Sequence, residues 1–192
     1  MSIALGIRTA VQTISSRRLG QKKNAESGAA FHNGLIMATF FAFPVTLIGW
    51  FYAEQIVPFF LKDQKTILLA VDYTSIVFIS LLFSVYSFVF VGFYTGVEKT
   101  KIHMTVTIIS NIINLYLNAA LIYGSEGIDL FFREVVPSLS FLKFAWCWTT
   151  FPAMGVKGAA FATLAASVWM SVHYAFYLFS NDFKTKFKVF SF

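Results

Sequence analysis

Three asparagine side chains lie within the apolar stretch TIISNIINLYLNAALIYG, where they could bind a polar or cationic solute. Asn111, Asn114 and Asn118 follow His103 and Thr107 at intervals of four, four, three and four residues. This spacing places the five polar side chains on one face of a helix whose other faces are apolar. An amide does not titrate, so the stripe can coordinate a cation or a substrate but cannot itself carry a proton.

A second polar face lies near the N-terminus, where Gln12 and Ser16 share one side of a predicted helix. We expect Gln12 to join Asn111, Asn114 and Asn118 in lining a substrate or cation cavity. The prediction depends on the amides and not on the neighbouring hydroxyl groups. Hydroxyl groups in membrane helices commonly allow close packing or bond to their own backbone.

Enzymatic chemistry finds little support in the sequence. No His and acid cluster has metal-ligand spacing, no Gly-rich phosphate loop precedes Lys and Ser or Thr, and no nucleophile stands beside a base. Of the nine acidic residues, only Asp72 approaches a predicted membrane helix, at its outer end. We therefore expect a protein that is not an enzyme, with no metal centre and no cofactor.

The composition is typical of a membrane protein. Of 192 residues, 57% are hydrophobic and 12% are charged, and the mean hydropathy is +0.69. Soluble domains carry about twice that charged fraction, roughly 25%. The net charge of +6 could suggest nucleic acid, but the basic residues form short clusters between apolar runs. The lipid bilayer is the predicted partner, and nucleic acid is not.

The apolar runs predict an all-α integral membrane protein with about five transmembrane helices. Four of the runs are close to the ~20 residues that a spanning helix needs, whereas the first run is short. The predicted helices cover residues 2–16, 28–53, 70–94, 102–123 and 156–179.

The connecting segments differ in charge. Segments 17–27, 95–101 and 181–192 are rich in Lys and Arg, which the positive-inside rule assigns to the cytoplasm. The other connections have mixed charge, and we expect 125–152 to form a long external loop with an amphipathic segment in the membrane interface. Residues 181–192 are predicted to be a basic cytoplasmic tail or linker. The chain is predicted to be a multi-pass protein of an inner or plasma membrane.

Four pieces of the sequence resemble a known family of transporters. VQTISSRRLGQKKNAESGAA is similar to the junction after the second helix of the multidrug and toxic compound extrusion (MATE) family. GFYTGVEKTKIHM resembles that family's cytoplasmic link between its fourth and fifth helices. NIINLYLNAALIYG and the later MGVKGAAFATLAA are similar to its fifth and sixth helices. Together these pieces cover nearly the whole chain.

The resemblance implies a fold and an activity. Family members have twelve helices in two six-helix lobes, and they export drugs and organic cations in exchange for sodium ions or protons by alternating access. Residues 1–180 would form most of the N-terminal lobe, from helix two to helix six. Positions that match Asn114 and Asn118 line the N-lobe cavity in the family, and some branches have Asp in place of Asn118. The first helix and the second lobe, or a partner half, would have to be supplied by other protein.

Two other functions stay open at this point. A lipid-linked saccharide flippase of the same superfamily would need basic residues in the cavity to bind an anionic diphosphate, and only Arg8 could serve that role. The chain could instead be a non-transporting membrane remnant, or a scaffold that associates through its small-residue faces.

Overall fold

The computed structural model describes residues 2–134, 137–146, 150–180 and 182–189. All regular elements in these residues are helical, which confirms the predicted all-α class. The α-helices are α1 (Ser2–Gly20), α2 (Asn24–Phe51), α3 (Ala53–Ile56), α4 (Gln64–Gly96), α5 (Thr100–Glu134) and α6 (Val156–Leu178). Short 3-10 helices occupy Val57–Phe59 and Pro137–Trp146, and one π-helical turn occupies Asp182–Lys186.

Four helices in the described residues, α2, α4, α5 and α6, are long and apolar enough to cross a membrane by length and composition. The remaining long helix, α1, continues to Gly20 and is therefore longer than the predicted segment 2–16. Its 19 residues extend over about 28 Å at 1.5 Å per residue. The outward faces of the helices carry exposed large apolar side chains, among them Ile36, Phe40 and Leu115, which suit contact with lipid.

Helix α4 begins before the predicted position 70 because Asp63 caps it. The Asp63 carboxylate accepts hydrogen bonds from the backbone N–H of Thr66 at 2.9 Å and from the Thr66 hydroxyl at 2.6 Å. These bonds satisfy donors of the first helical turn that otherwise have no partner. Local capping chemistry thus extends the helix beyond its apolar run.

Helix α5 continues into the segment predicted as an external loop. Gly124 interrupts the helix with a φ of 68°, a left-handed conformation that suits glycine, and the chain then resumes helical geometry to Glu134. Ser125 holds the segment that leads into α6 against the break in α5, because its hydroxyl accepts a hydrogen bond from the N–H of Phe151 at 2.9 Å. Residues 135, 136 and 147–149 of the predicted loop lie outside the described residues.

Helix α4 is the centre of the bundle. It packs against α1, α2 and α6, while α5 packs mainly against α6. Two glycines of α4 allow α1 to approach closely, because a Cβ at Gly92 would lie 2.5 Å from the Arg8 carbonyl oxygen and one at Gly96 would lie 2.7 Å from that of Gln12. Gly158 in α6 similarly lies against the backbone of Leu121 in α5. These contacts bring the helices together without intervening side chains.

The predicted tail folds back onto the basic end of the bundle, the end where α1 and α4 terminate. Phe183, Phe187 and Val189 are buried there, and the ring of Phe187 meets that of Phe93 in α4 at a centroid distance of 5.8 Å. A ring nitrogen of His32 in α2 is hydrogen-bonded to the carbonyl oxygen of Val189. Residues 182–189 are therefore part of the packed lobe, whereas 181 and 190–192 lie outside the described residues.

The glycine contacts predict opposite effects for two Gly→Ala substitutions. Ala is about 1 kcal/mol better than Gly in a helix interior, and a Cβ at Gly6 meets no atom within 4 Å, so Gly6→Ala should not destabilise the protein. At Gly92 the added methyl collides with the Arg8 backbone, and we expect Gly92→Ala to lower the free energy of unfolding by about 1–3 kcal/mol. Denaturation of the purified proteins in detergent measures both; equal stability of the two variants would contradict the close approach.

The Asp63 cap predicts a pH dependence. Hydrogen bonds from the Thr66 hydroxyl and the Thr66 backbone lower the pKa of the Asp63 carboxyl below its ordinary value of 3.8. The cap therefore stabilises α4 above about pH 4 and is lost as the pH falls through the lowered pKa. Asp63→Asn keeps an acceptor without titrating, so its free energy of unfolding should fall less than that of the wild type between pH 5 and about pH 2. If the free energies of unfolding of the two proteins fell equally over this pH range, the Asp63 carboxylate would not stabilise α4 in this way.

Candidate functional site

Helix α1 packs against α4, α5 packs mainly against α6, and α4 and α6 pack against each other in the described residues. Two polar helix faces carry the candidate residues. The α1 face contains Arg8 and Gln12, and the α5 face contains His103, Thr107, Asn111, Asn114 and Asn118. The sequence-predicted site residues are distributed over these two faces.

The polar stripe of α5 contains one direct contact between predicted site residues. The side-chain amide nitrogen of Asn118 donates a hydrogen bond to the side-chain oxygen of Asn114 at 2.9 Å, and both residues are half-buried. Val106, Ser110 and Ala120 are the buried residues on the adjacent face of α5. At about 100° per residue, the asparagines occupy the same side of α5 as His103.

Asn111 and Gln12 are not brought into contact with the asparagine pair. Asn111 is exposed, and Gln12 is half-buried on α1 with its backbone against Gly96. Neither side-chain amide makes a hydrogen bond within the described residues. Their donors and acceptors are thus available to a ligand, to water or to other protein.

A hydrogen-bonded cluster at the basic end of the bundle was not predicted from the sequence, which placed His103 only on the polar stripe of α5. The Nδ1 atom of His103 is hydrogen-bonded to the Tyr174 hydroxyl at 2.7 Å and lies 3.2 Å from the Thr107 hydroxyl oxygen. These contacts join Tyr174 of α6 to the first turns of α5.

Hydrogen bonds between α4 and α6 hold Tyr174 in this position. The Tyr94 hydroxyl donates to the backbone carbonyl of Tyr174 at 2.7 Å. The Ser171 hydroxyl lies 2.8 Å from the Phe83 carbonyl oxygen and 3.0 Å from the Ser87 hydroxyl oxygen. The sequence signal for the cluster is the four-residue spacing of His103 and Thr107, which places both on one face of α5.

The polar faces of α1 and α5 present neutral amides, hydroxyls, one imidazole and one guanidinium, which are groups that recognise polar ligands. Helices α1, α4, α6 and the part of α5 as far as Ser125 contain a single carboxylate, Asp72. Asp72 pairs with Lys157 at 2.8 Å at the opposite end of the bundle. Among the described residues, no group of three or more His, Cys, Asp or Glu side chains could hold a metal ion.

Comparison with known proteins decides the family. Residues 1–120 match the model of the MatE family, which is more than half of the chain. The chain belongs to the MatE family. This result confirms the resemblance seen in the sequence motifs, and with the four apolar helices it makes the chain a multi-pass protein of the inner or plasma membrane, as predicted.

The chain is similar to several curated proteins. It is 27% identical over 164 residues to a protein of Bacillus anthracis named probable multidrug resistance protein NorM, covering 85% of this chain and 31% of that protein. A protein of the same name from Listeria monocytogenes is 24% identical over 167 residues, covering 87% of this chain and 31% of the relative. The MatE chain thus spans about a third of the length of these relatives.

A solved structure shows the same fold. The structure, described as the inward-facing conformation of a multidrug resistance MATE family transporter of the MOP superfamily, superposes with a TM-score of 0.75 at 20% sequence identity. The match covers 98% of this chain and 36% of the other. The MatE chain therefore has the fold of part of one transporter, consistent with the predicted partial lobe.

The asparagine pair predicts a measurable energetic coupling. A double-mutant cycle of Asn114→Ala and Asn118→Ala should give a coupling free energy of about 0.6 kcal/mol, the typical strength of a polar side-chain contact in a membrane protein. The matched cycle of Asn111→Ala with Asn118→Ala should give none, since these two side chains share no hydrogen bond. Equal coupling in both cycles, measured by unfolding in detergent, would show that the 2.9 Å contact contributes nothing specific.

Proposed function

We propose that this chain forms most of the N-terminal lobe of a cation-coupled exporter of drugs or organic cations. Membership of the MatE family and the names of the NorM relatives support a transporter. The observation that carries the site assignment is the polar stripe of α5, in which Asn114 and Asn118 contact each other.

The asparagine amides would bind the polar part of a substrate by replacing the hydrogen bonds that it makes with water. Their carbonyl oxygens can accept donors from an organic cation or coordinate a sodium ion. One hydrogen bond joins the pair, so the Asn114 amide nitrogen and the Asn118 carbonyl oxygen still offer donors and an acceptor to a ligand. Asn111 adds a further amide on α5, and Gln12 adds one on α1.

Coupling to an ion needs more than this lobe supplies. The amides of α5 do not titrate, so a proton-coupled exporter would bind its proton elsewhere, whereas a sodium ion could use the amide oxygens directly. Alternating access requires two halves that rock around a central site. The rest of the transporter would provide the second half, and sodium ions or protons would be the coupling ion.

Transport by the complete protein that contains this lobe tests the assignment. We expect Asn114→Leu combined with Asn118→Leu to reduce uptake of a fluorescent organic cation into inverted membrane vesicles at least tenfold. The two leucines remove the donors and acceptors while keeping the helix apolar. Separate sodium and pH gradients across the vesicles identify the coupling ion.

The matched control is Asn33→Leu, which removes an exposed amide from α2, a helix that carries none of the proposed site residues. Uptake by this variant should equal that of the wild type. Unchanged uptake by the double Leu variant would refute the site assignment. Failure of the wild type to move any organic cation, with transfer of a lipid-linked saccharide instead, would favour the flippase alternative, for which the cation of Arg8 is the supporting observation.

A further inference from the structure

An aromatic cavity lies at the end of the bundle opposite the basic end. Its volume is about 550 Å³, within the range of roughly 300–1,000 Å³ that is typical of small-molecule sites. Residues of α5 on both sides of the break at Gly124 line it, together with Trp146 from the segment that follows α5. The described lining residues include none of the asparagines of the polar stripe.

One wall of the cavity is built by α5. Every fourth residue from 115 to 131 lines it: Leu115, Ala119, Tyr123, Gly127 and Phe131. Gly127 has no side chain, and a Cβ at this position would lie 3.0 Å from the Cβ of Tyr123. The glycine therefore keeps the space beside the tyrosine open.

The opposite wall is held in place by contacts between Trp146 and Tyr116. The indole nitrogen of Trp146 donates to the backbone carbonyl of Tyr116 at 3.2 Å, and the Tyr116 hydroxyl donates to the carbonyl oxygen of Ala145 at 2.9 Å. The two rings stack at a centroid distance of 5.2 Å. The ring of Phe132, which is buried, lies 6.1 Å from that of Trp146. These contacts form the wall before any ligand binds.

Glu134 is the only charged side chain among the described residues that line the cavity. Its carboxylate makes no ion pair with any described residue, whereas the neighbouring Arg133 pairs with Asp129 at 3.0 Å. A negative charge and the faces of aromatic rings both attract a cation. The cavity therefore favours a positively charged ligand.

The lining also limits the kind of cation that fits. Apart from Glu134, its described side chains offer only two hydrogen-bonding groups, the Tyr123 hydroxyl and the Trp146 indole N–H, and the indole is already bonded to Tyr116. A metal ion or a small ammonium ion would lose its bound water here without receiving other ligands in return. A cation whose charge is spread over apolar groups loses less and gains from contact with the apolar wall.

We propose that this cavity binds a lipophilic organic cation, with Glu134 balancing its charge and the aromatic rings contacting its apolar groups. The ligand would lie at the membrane interface, where Trp and Tyr side chains are enriched. The proposal goes beyond the proposed function, because it assigns a second cation site that uses none of the asparagines of α5.

Binding of tetraphenylphosphonium to the 192-residue chain tests the proposal. Equilibrium dialysis of the radiolabelled cation against the chain in a neutral detergent measures the affinity, after subtraction of the cation taken up by empty micelles. Tetraphenylborate, an anion of the same shape, shows how much of the binding depends on charge. We expect saturable binding of the cation and at least fivefold weaker binding of the anion.

Two exposed residues of the cavity provide the test variants. Glu134→Gln removes the charge and keeps the size of the side chain, so the cation should bind about fivefold more weakly. Glu54→Gln is its matched control, because it removes an exposed carboxylate from α3, outside the cavity. Phe131→Ala removes one aromatic ring and should weaken binding to a similar extent, about fivefold. Phe40→Ala removes an exposed ring from α2 and should bind the cation as the wild type does.

Equal affinities of the wild type, Glu134→Gln and Phe131→Ala for tetraphenylphosphonium would overturn the proposal. Equal affinities for the cation and the anion would also overturn it, since the cavity would then hold any apolar molecule, including a lipid chain.

The asparagine variant separates this proposal from the proposed function. Cation binding that is lost in Asn114→Leu with Asn118→Leu but kept in Glu134→Gln would place the ligand on the polar stripe and overturn the cavity site. Conversely, unchanged cation uptake by the asparagine variant would refute the exporter site, whereas loss of binding in Glu134→Gln would still support the cavity.

Discussion

The close approach of α1 to α4 is the constraint on which the rest of the lobe depends. Gly92 and Gly96 allow the backbone carbonyls of Arg8 and Gln12 to lie against α4. In lipid, apolar side chains gain little from meeting each other, so helices associate where small residues permit extensive backbone contact. Helix α4 also packs against α2 and α6, and α5 joins the bundle mainly through α6.

Polar groups of the lobe divide into satisfied and unsatisfied sets. Hydroxyls such as Ser87 and Ser171 bond to each other or to nearby backbone, and the Asn114 and Asn118 amides bond to each other. Arg8, Gln12 and Asn111 make no such bond within the described residues. Because unsatisfied polar groups are costly away from water, the second set indicates where ligand, water or other protein meets the lobe. These three residues lie on the polar faces of α1 and α5.

The basic end of the bundle, where α1 and α4 terminate, is built differently from the opposite end. Residues 182–189 pack back over α4, with Phe183 and Phe187 buried against its aromatic side chains. At the other end, Gly124 and Ser125 allow α5 to turn and to meet the returning chain at Phe151. The segment predicted as a tail or linker is thus integrated into the lobe, so a movement of that segment would act directly on α4.

The sequence by itself determined the all-α membrane class, the approximate positions of the long helices, the family and the asparagine stripe. These features depend on hydropathy and helical periodicity, which are properties of neighbouring residues. Tertiary structure alone decided that His103 meets Tyr174, 71 residues away, and that Tyr94 holds Tyr174 in place. It also decided which amides are paired. Such contacts arise from how separate helices pack, and local periodicity carries no information about the distance between two helices.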